Sequence, residues 1–208
     1  EQIFAFRSII EQCIEFQQPM FLNFVDFRKA FDSIHRESMW KIAAIYGIPQ
    51  KYIKTIQNIY LNSSSCVRTE NGNSEYFNIV TGARQGCILS PFLFLLVIDF
   101  IMTKTIDDTR HGIQWYNQQH LADLDFADDI VLIAKTFSEL DDLTRRLSTE
   151  GSKVGLKISD EKTKSMHVMS RDNNTLSIQN HQIVDVAEIT YLGSEITTGE
   201  GDDQNITR

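Results

Sequence analysis

Cysteine is scarce in this chain of 208 residues: Cys13, Cys66 and Cys87 are the three present. Their spacing fits neither a zinc-binding pattern nor a disulfide framework, which points to a reducing, intracellular setting. Proline is equally rare, and Pro19, Pro49 and Pro91 each fall where a helical pattern ends or begins. Long apolar runs are missing too. The longest, Pro91 to Ile98 and on through Phe100-Ile101-Met102, is broken by Asp99 and falls short of the ~20 residues a membrane span needs, so it reads as a buried helix. Repeats, low-complexity linkers and a secretory leader are not in evidence, and the first helical pattern starts without a cap, so further chain is expected upstream.

Positive charge is in deficit, with a formal net charge of −8. Its distribution matters more than its sum. Residues 181–208 carry six acids against one arginine, leaving −3 on residues 1–180. Between Gly151 and Arg171 five basic residues face two acids, a local basic patch of the kind that meets nucleic-acid phosphates. A hydrophobic content of 42% with 10% aromatics is that of a globular chain, and the length suits one domain.

What the chain does have is a pair of adjacent carboxylates, Asp128 and Asp129, between two short runs of strand formers. Leu124 and Phe126 alternate with Asp123 and Asp125 before the pair, and Ile130-Val131-Leu132-Ile133 follows it unbroken. The pattern predicts a hairpin over Leu121 to Ala134 with acids at its tip and a second strand buried on both faces. Two acids placed there repel each other, so the site implies a shared proton or a divalent cation. A calcium loop starting at Asp123 is excluded, since Asp128 stands where glycine is needed and Ala134 where glutamate is needed.

Residues 1–16 carry Ile3, Phe6, Ile10 and Cys13/Ile14 at helical spacing. Met20 to Val25 reads as a strand delivering Asp26 at its end, with Asp32 closing the same acidic segment. Helices are expected from Ile34 to Tyr46, stopped by Gly47, and from Pro49, with Ile53, Ile56 and Tyr60 on one face. Asn71-Gly72 should turn a hairpin between 66–70 and 76–79. Residues 81–90 form a loop, and Ser90-Pro91 is expected to cap the buried helix running towards Thr105. Ser138 with Asp141 looks like the cap of a helix striped by Leu140, Leu143 and Leu147, ending near Gly151 or Gly155. Further strands are expected at 164–169 and 188–196. The whole predicts an α+β domain with a split βαβ-type antiparallel sheet. If the strands bearing Asp26 and Asp128-Asp129 are neighbours, three acids meet, a set suited to two magnesium ions in phosphoryl displacement.

Five stretches then carry a resemblance: Phe24-Val-Asp-Phe-Arg-Lys-Ala-Phe-Asp32, Gly82-Ala-Arg-Gln-Gly-Cys-Ile-Leu-Ser-Pro-Phe-Leu-Phe94, Phe126-Ala-Asp-Asp129, Gly155-Leu-Lys-Ile-Ser-Asp-Glu-Lys-Thr-Lys164 and Tyr191-Leu-Gly193. In order and spacing they resemble five successive motifs of reverse transcriptases, above all those of non-LTR (LINE-type) retrotransposons, over roughly Glu1 to Ile196. The resemblance implies an RNA-directed DNA polymerase palm with partial fingers over 1–196, and a polar tail over 197–208 leading towards a thumb. It implies two Mg2+ ions, an RNA template, a DNA primer, deoxynucleoside triphosphates, no membrane, and action in the nucleus.

Residue by residue, the resemblance makes Asp26 and Asp128 the metal-bridging carboxylates with Asp129 beside them, and Lys162 the lysine near the leaving pyrophosphate. Phe27, Phe31, Gln85 and Gly86 match nucleotide-contacting positions. Phe31 matches the bulky residue that screens the sugar's 2′ position, where an aromatic ring leaves no room for a hydroxyl. Gln85 offers a donor and an acceptor, and Gly86 permits close backbone approach. Leu192 and Gly193 match the hairpin gripping the primer end. Phe126 and Ser159 depart from the frequent Tyr and Asn. Two rivals share much of this pattern: an RNA-copying palm that makes RNA, disfavoured by Phe31, and a silent nucleic-acid-binding remnant, disfavoured by the intact acids.

Overall fold

A computed structural model describes residues 2–70, 72–107, 110–115, 119–170, 172, 174–179 and 181–198. Asn71 of the expected turn, Arg171 of the basic stretch and the tail from residue 199 lie outside the described residues.

The strand Met20–Val25 is central: all six of its side chains are buried, and the one polar member, Asn23, donates to the Thr144 hydroxyl at 2.9 Å. On one side it pairs antiparallel with Asp129–Ala134, which pairs in turn with Asp123–Phe126. On the other it pairs antiparallel with Lys164–Val168, whose outer neighbour is the short parallel strand Val184–Asp185. The five-stranded, mainly antiparallel sheet and its flanking helices make the expected α+β architecture.

Strand alternation divides the core in two. Phe21, Val25, Ile130, Leu132 and Ala134 face one cluster, while Leu22, Phe24, Val131 and Ile133 face the other. The first face is covered by helices α3 (Arg36–Ile45), α5 (Ser90–Ile106) and α6 (Phe137–Lys153), with α4 (Gln50–Tyr60) beyond. The second is covered by Phe6, Ile9 and Ile10 of α1 (Gln2–Glu15) and by Tyr191 and Ile196 of a hairpin, Glu188–Tyr191 with Ser194–Thr197. Residues 130–134 are at most 1% exposed, as a strand covered on both sides requires. A short helix, α2 (Ala30–Ser33), carries the chain from the end of the central strand towards α3.

Three local expectations need correction. The cap of α6 is Thr136, whose hydroxyl accepts from the Glu139 amide, while the Glu139 carboxylate accepts from the Lys135 amide; Ser138 and Asp141 lie inside the helix. Helix α5 begins at Ser90, not after it, and the serine hydroxyl is committed to Arg84 and Tyr60. In the hairpin after α4, Thr69 pairs with Gly72, so Gly72 sits in the ladder. The last hairpin also extends to Thr197, past the expected boundary at 196.

Candidate active site

Asp26 follows the central strand, whose last pairing is Val25 with Ile130; one step further along each strand, Asp26 stands opposite Asp129. Opposite residues of an antiparallel ladder share a face, so the two carboxylates project on the α1 side. Phe126 pairs with Asp129, leaving Ala127 and Asp128 as the two-residue tip. Ala127 holds φ 58°, a left-handed conformation costing about 1 kcal/mol for a residue with a Cβ, and strain of this kind persists where the turn itself has a use.

The carboxylates are electrostatically uncomfortable together. Burial first, then the charges of Asp128 and Asp26, push the Asp129 carboxyl above its ordinary range. One oxygen of Asp26 is enclosed without a hydrogen-bond partner, and the other lies 3.5 Å from the Lys162 ammonium. The main chain of Asp26 is held at both ends: its amide donates to the Thr163 hydroxyl, 3.3 Å, and its carbonyl accepts from the Ser159 amide, 2.8 Å. Lys162 is thus delivered to Asp26 by the turn that also anchors it. Among the described residues no three His, Cys, Asp or Glu side chains converge as a ready-made metal cage.

The loop before α5 comes up beside this segment. Gly82 holds φ 79°, and a Cβ there would sit 2.7 Å from the Asp32 backbone, so glycine is what allows the close approach. Gln85 donates from its side-chain nitrogen to the Asp32 carboxylate, 3.0 Å. The amide oxygen of Gln85 takes no part in that bond. Gly86 follows at φ 80°. A cleft of about 790 Å³ opens here, lined by Asp32, Arg36, Ala83, Arg84 and Gln85 with the hairpin after α4. A cavity of about 840 Å³ shares Arg36, Asn62, Ser63 and Thr81 with this cleft and is also lined by His35 and Trp40, but not by Asp26, Asp128 or Asp129.

Phe31 is half-buried and stacks on Phe94 with ring centroids 4.0 Å apart. Phe27 is not brought to the site: its ring is 4% exposed in the core behind the sheet, because it follows Asp26 with the opposite facing, so a nucleotide could meet only its backbone. Leu192 and Gly193 form the tip of the last hairpin, with φ 47° and 77°. Tyr191 before them is buried against Phe6 and Phe24, and its hydroxyl has no partner. Burial, then Asp129, Asp125 and Asp123, push that hydroxyl up to about 12. The basic stretch is partly spent on local pairs, Lys153 with Glu150 and Lys162 with Asp26.

Sequence reasoning missed a second acidic group. Asp123 and Asp125 face α5, where Asp99 and Asp107 also line a small cleft. Burial, then Asp125, push the Asp123 carboxyl up to about 6; burial chiefly raises Asp125 as well. The available signal was their alternation with Leu124, which sends both acids to one face of the strand.

An antiparallel sheet that sets a strand-end carboxylate beside acids at a hairpin tip, with helices packed behind, has the palm-like form that the sequence resemblance implies. Comparison with known proteins narrows this. Residues 1–196 match the family model described as reverse transcriptase (RNA-dependent DNA polymerase), and the chain belongs to that family, as a domain of the non-LTR retrotransposon type. It is 30% identical over 170 residues to the Pol polyprotein of the type-2 retrotransposable element R2DM of Drosophila melanogaster, covering 82% of this chain and 15% of that protein. It is 26% identical over 177 residues to the Pol polyprotein of a type-1 element R2 of Nasonia vitripennis, covering 84% and 17%. The chain therefore spans less than a fifth of either protein. Its fold is similar to that of apo telomerase from Candida tropicalis truncated from its C-terminal domain, with TM-score 0.63, 15% identity, and coverage of 92% of this chain and 38% of that one. Among the described residues no helix is long and apolar enough to cross a membrane.

Proposed function

We propose that the protein is an RNA-directed DNA polymerase that adds deoxynucleotides to a primer 3′-hydroxyl on an RNA template in the nucleus, residues 1–196 forming its palm with part of the fingers. The observation that carries this is the placement of Asp26 opposite Asp129, one Asp26 oxygen unpartnered, with Asp128 at the tip and Lys162 alongside. Asp26 and Asp128 would hold two Mg2+ ions, with Asp129 tuning the charge next to them; an orphaned oxygen and mutual repulsion fit a cation there. When bound, such ions activate the attacking oxygen and stabilise the leaving one.

The chain's own residues supply the rest. Lys162 neutralises or protonates the departing pyrophosphate. Gln85 and Gly86 lie under the incoming nucleotide, the amide oxygen of Gln85 available as an acceptor. Phe31, held by its stack on Phe94, screens the 2′ position. Leu192 and Gly193 bear on the primer end, and the last hairpin carries them on the same side of the sheet as Asp26 and Asp129.

Primer extension on RNA and DNA templates tests the reading directly. Asp128→Asn should abolish extension on both, while Mn2+ affinity measured by electron paramagnetic resonance falls and the circular dichroism spectrum stays unchanged. Extension retained in that variant removes Asp128 from the mechanism.

A further inference from the structure

The approach to Gln85 is fixed by three consecutive amides. Gly82 N–H donates to the Ile34 carbonyl, 2.8 Å, and Ala83 N–H to the Phe31 carbonyl, 2.7 Å. Both anchors are main chain, so truncating a side chain removes neither. The third is different: Arg84 N–H donates to the phenolic oxygen of Tyr60, 3.1 Å, from the end of α4.

That hydroxyl belongs to a closed ring. Ser90 Oγ donates to the Arg84 carbonyl, 2.6 Å, and lies 2.9 Å from Tyr60 Oη. A serine hydroxyl has one hydrogen, and it is committed to Arg84, so Tyr60 donates to Ser90. The Arg84 amide donates to Tyr60, Tyr60 to Ser90, and Ser90 to the Arg84 carbonyl. Each hydroxyl donates once and accepts once, and both are 3% exposed at the residue level. Such a cycle is mutually reinforcing, and losing one member leaves the others buried without partners. The Tyr60 ring is itself set by Trp40, edge-on at 5.3 Å, and by the Arg36 guanidinium, 5.0 Å from its centroid. Arg36 also donates to the carbonyls of Gly82, Tyr60 and Ile79, at 3.2, 3.2 and 2.8 Å.

We propose that Tyr60, on a helix bearing none of the candidate catalytic side chains, is a positioning residue for deoxynucleoside triphosphate binding: it clamps Arg84 directly at the amide and through Ser90 at the carbonyl, and so sets where Gln85 and Gly86 meet the nucleotide. The inference rests on the polymerase reading above. It separates binding from chemistry, because the clamp touches the nucleotide loop and not the acids.

Tyr60→Phe keeps the ring on Trp40 and Arg36 and deletes only the hydroxyl. In polymerase-competent protein containing this chain, it should raise the KM for deoxynucleoside triphosphates by about tenfold, the effect of one lost buried hydrogen bond, with kcat within about twofold and template–primer affinity unchanged. Ser90→Ala should do the same, and the double variant should be little worse than either, since each already opens the ring. Hydrogen exchange at the Arg84 amide should accelerate in both while the amides of Met20–Val25 keep their protection. Unchanged KM and Arg84 exchange in folded Tyr60→Phe would overturn the proposal, as would a uniform rise of exchange across the chain. If the parent protein extends no primer, the polymerase reading falls and the nucleotide role of Tyr60 with it; Arg84 exchange still judges the clamp.

Discussion

Asp123 illustrates how one carboxylate can work against the fold that holds it. Its pKa of about 6 in the folded chain stands above the ~3.9 of an unfolded aspartate, so folding tightens its hold on a proton. The resulting stabilisation is complete below about pH 4 and is lost as pH rises through 6; above that, the ionised group sits beside Asp125 and near Asp99 at a cost of about 1 to 3 kcal/mol. Asp123→Asn should therefore raise the melting temperature at pH 7.5 and flatten its slope between pH 4 and 6.5. A variant no more stable than the parent at pH 7.5 would show that water reaches this carboxylate freely. Phe31 makes the complementary case, since its ring has both a core partner and a proposed duty. Phe31→Val should raise ribonucleotide over deoxynucleotide incorporation and also soften the fold through loss of the Phe94 stack, by about 1 kcal/mol for the aromatic pair. Incorporation ratios measured well below the melting temperature separate the two; a fall in stability with an unchanged ratio leaves Phe31 as packing only.

At the scale of elements, the helix that covers the sheet from Phe137 to Lys153 depends on its first turn. Thr136 and Glu139 exchange hydrogen bonds with the amides around them, and removing such a cap costs about 1 kcal/mol. Thr136→Ala should lower the denaturant midpoint accordingly without changing the slope, whereas Ser138→Ala should leave the midpoint where it was. The palm hairpin is the other decisive element. Its second strand is specified by an unbroken apolar run, but its register is what sets Asp129 opposite Asp26. A slip of one residue would turn every side chain of Ile130 to Ala134 to the wrong layer, and the double-sided core forbids it.

Taken whole, the molecule gathers acids at one site and carries more negative than positive charge. Its net charge is −8, Lys153 and Lys162 are engaged locally, and positioning a template and primer draws largely on phosphate contacts. Residues 1–208 alone should bind template–primer weakly, with affinity collapsing between 50 and 200 mM salt as expected of phosphate contacts, and should extend it little. Robust extension at physiological salt would show that the palm suffices.

The order of the main strands and helices, the buried hairpin strand and the acids at its tip were written in local periodicity and spacing, which one strand or one helix enforces by itself. The caps of α5 and α6 were misplaced because several nearby serines, threonines and acids could each have closed those helices, and only packing chose among them. Phe27 matches a nucleotide-contacting position of the motif series, and it is the pleat that turns its ring into the core. Asp32 as the partner of Gln85, the facing of Asp123 and Asp125 towards α5, and the ring through Tyr60, Arg84 and Ser90 join residues up to 53 positions apart. Contacts of that reach are set by which layers pack together, a property of the assembled sheet and helices, so the tertiary structure alone decided them.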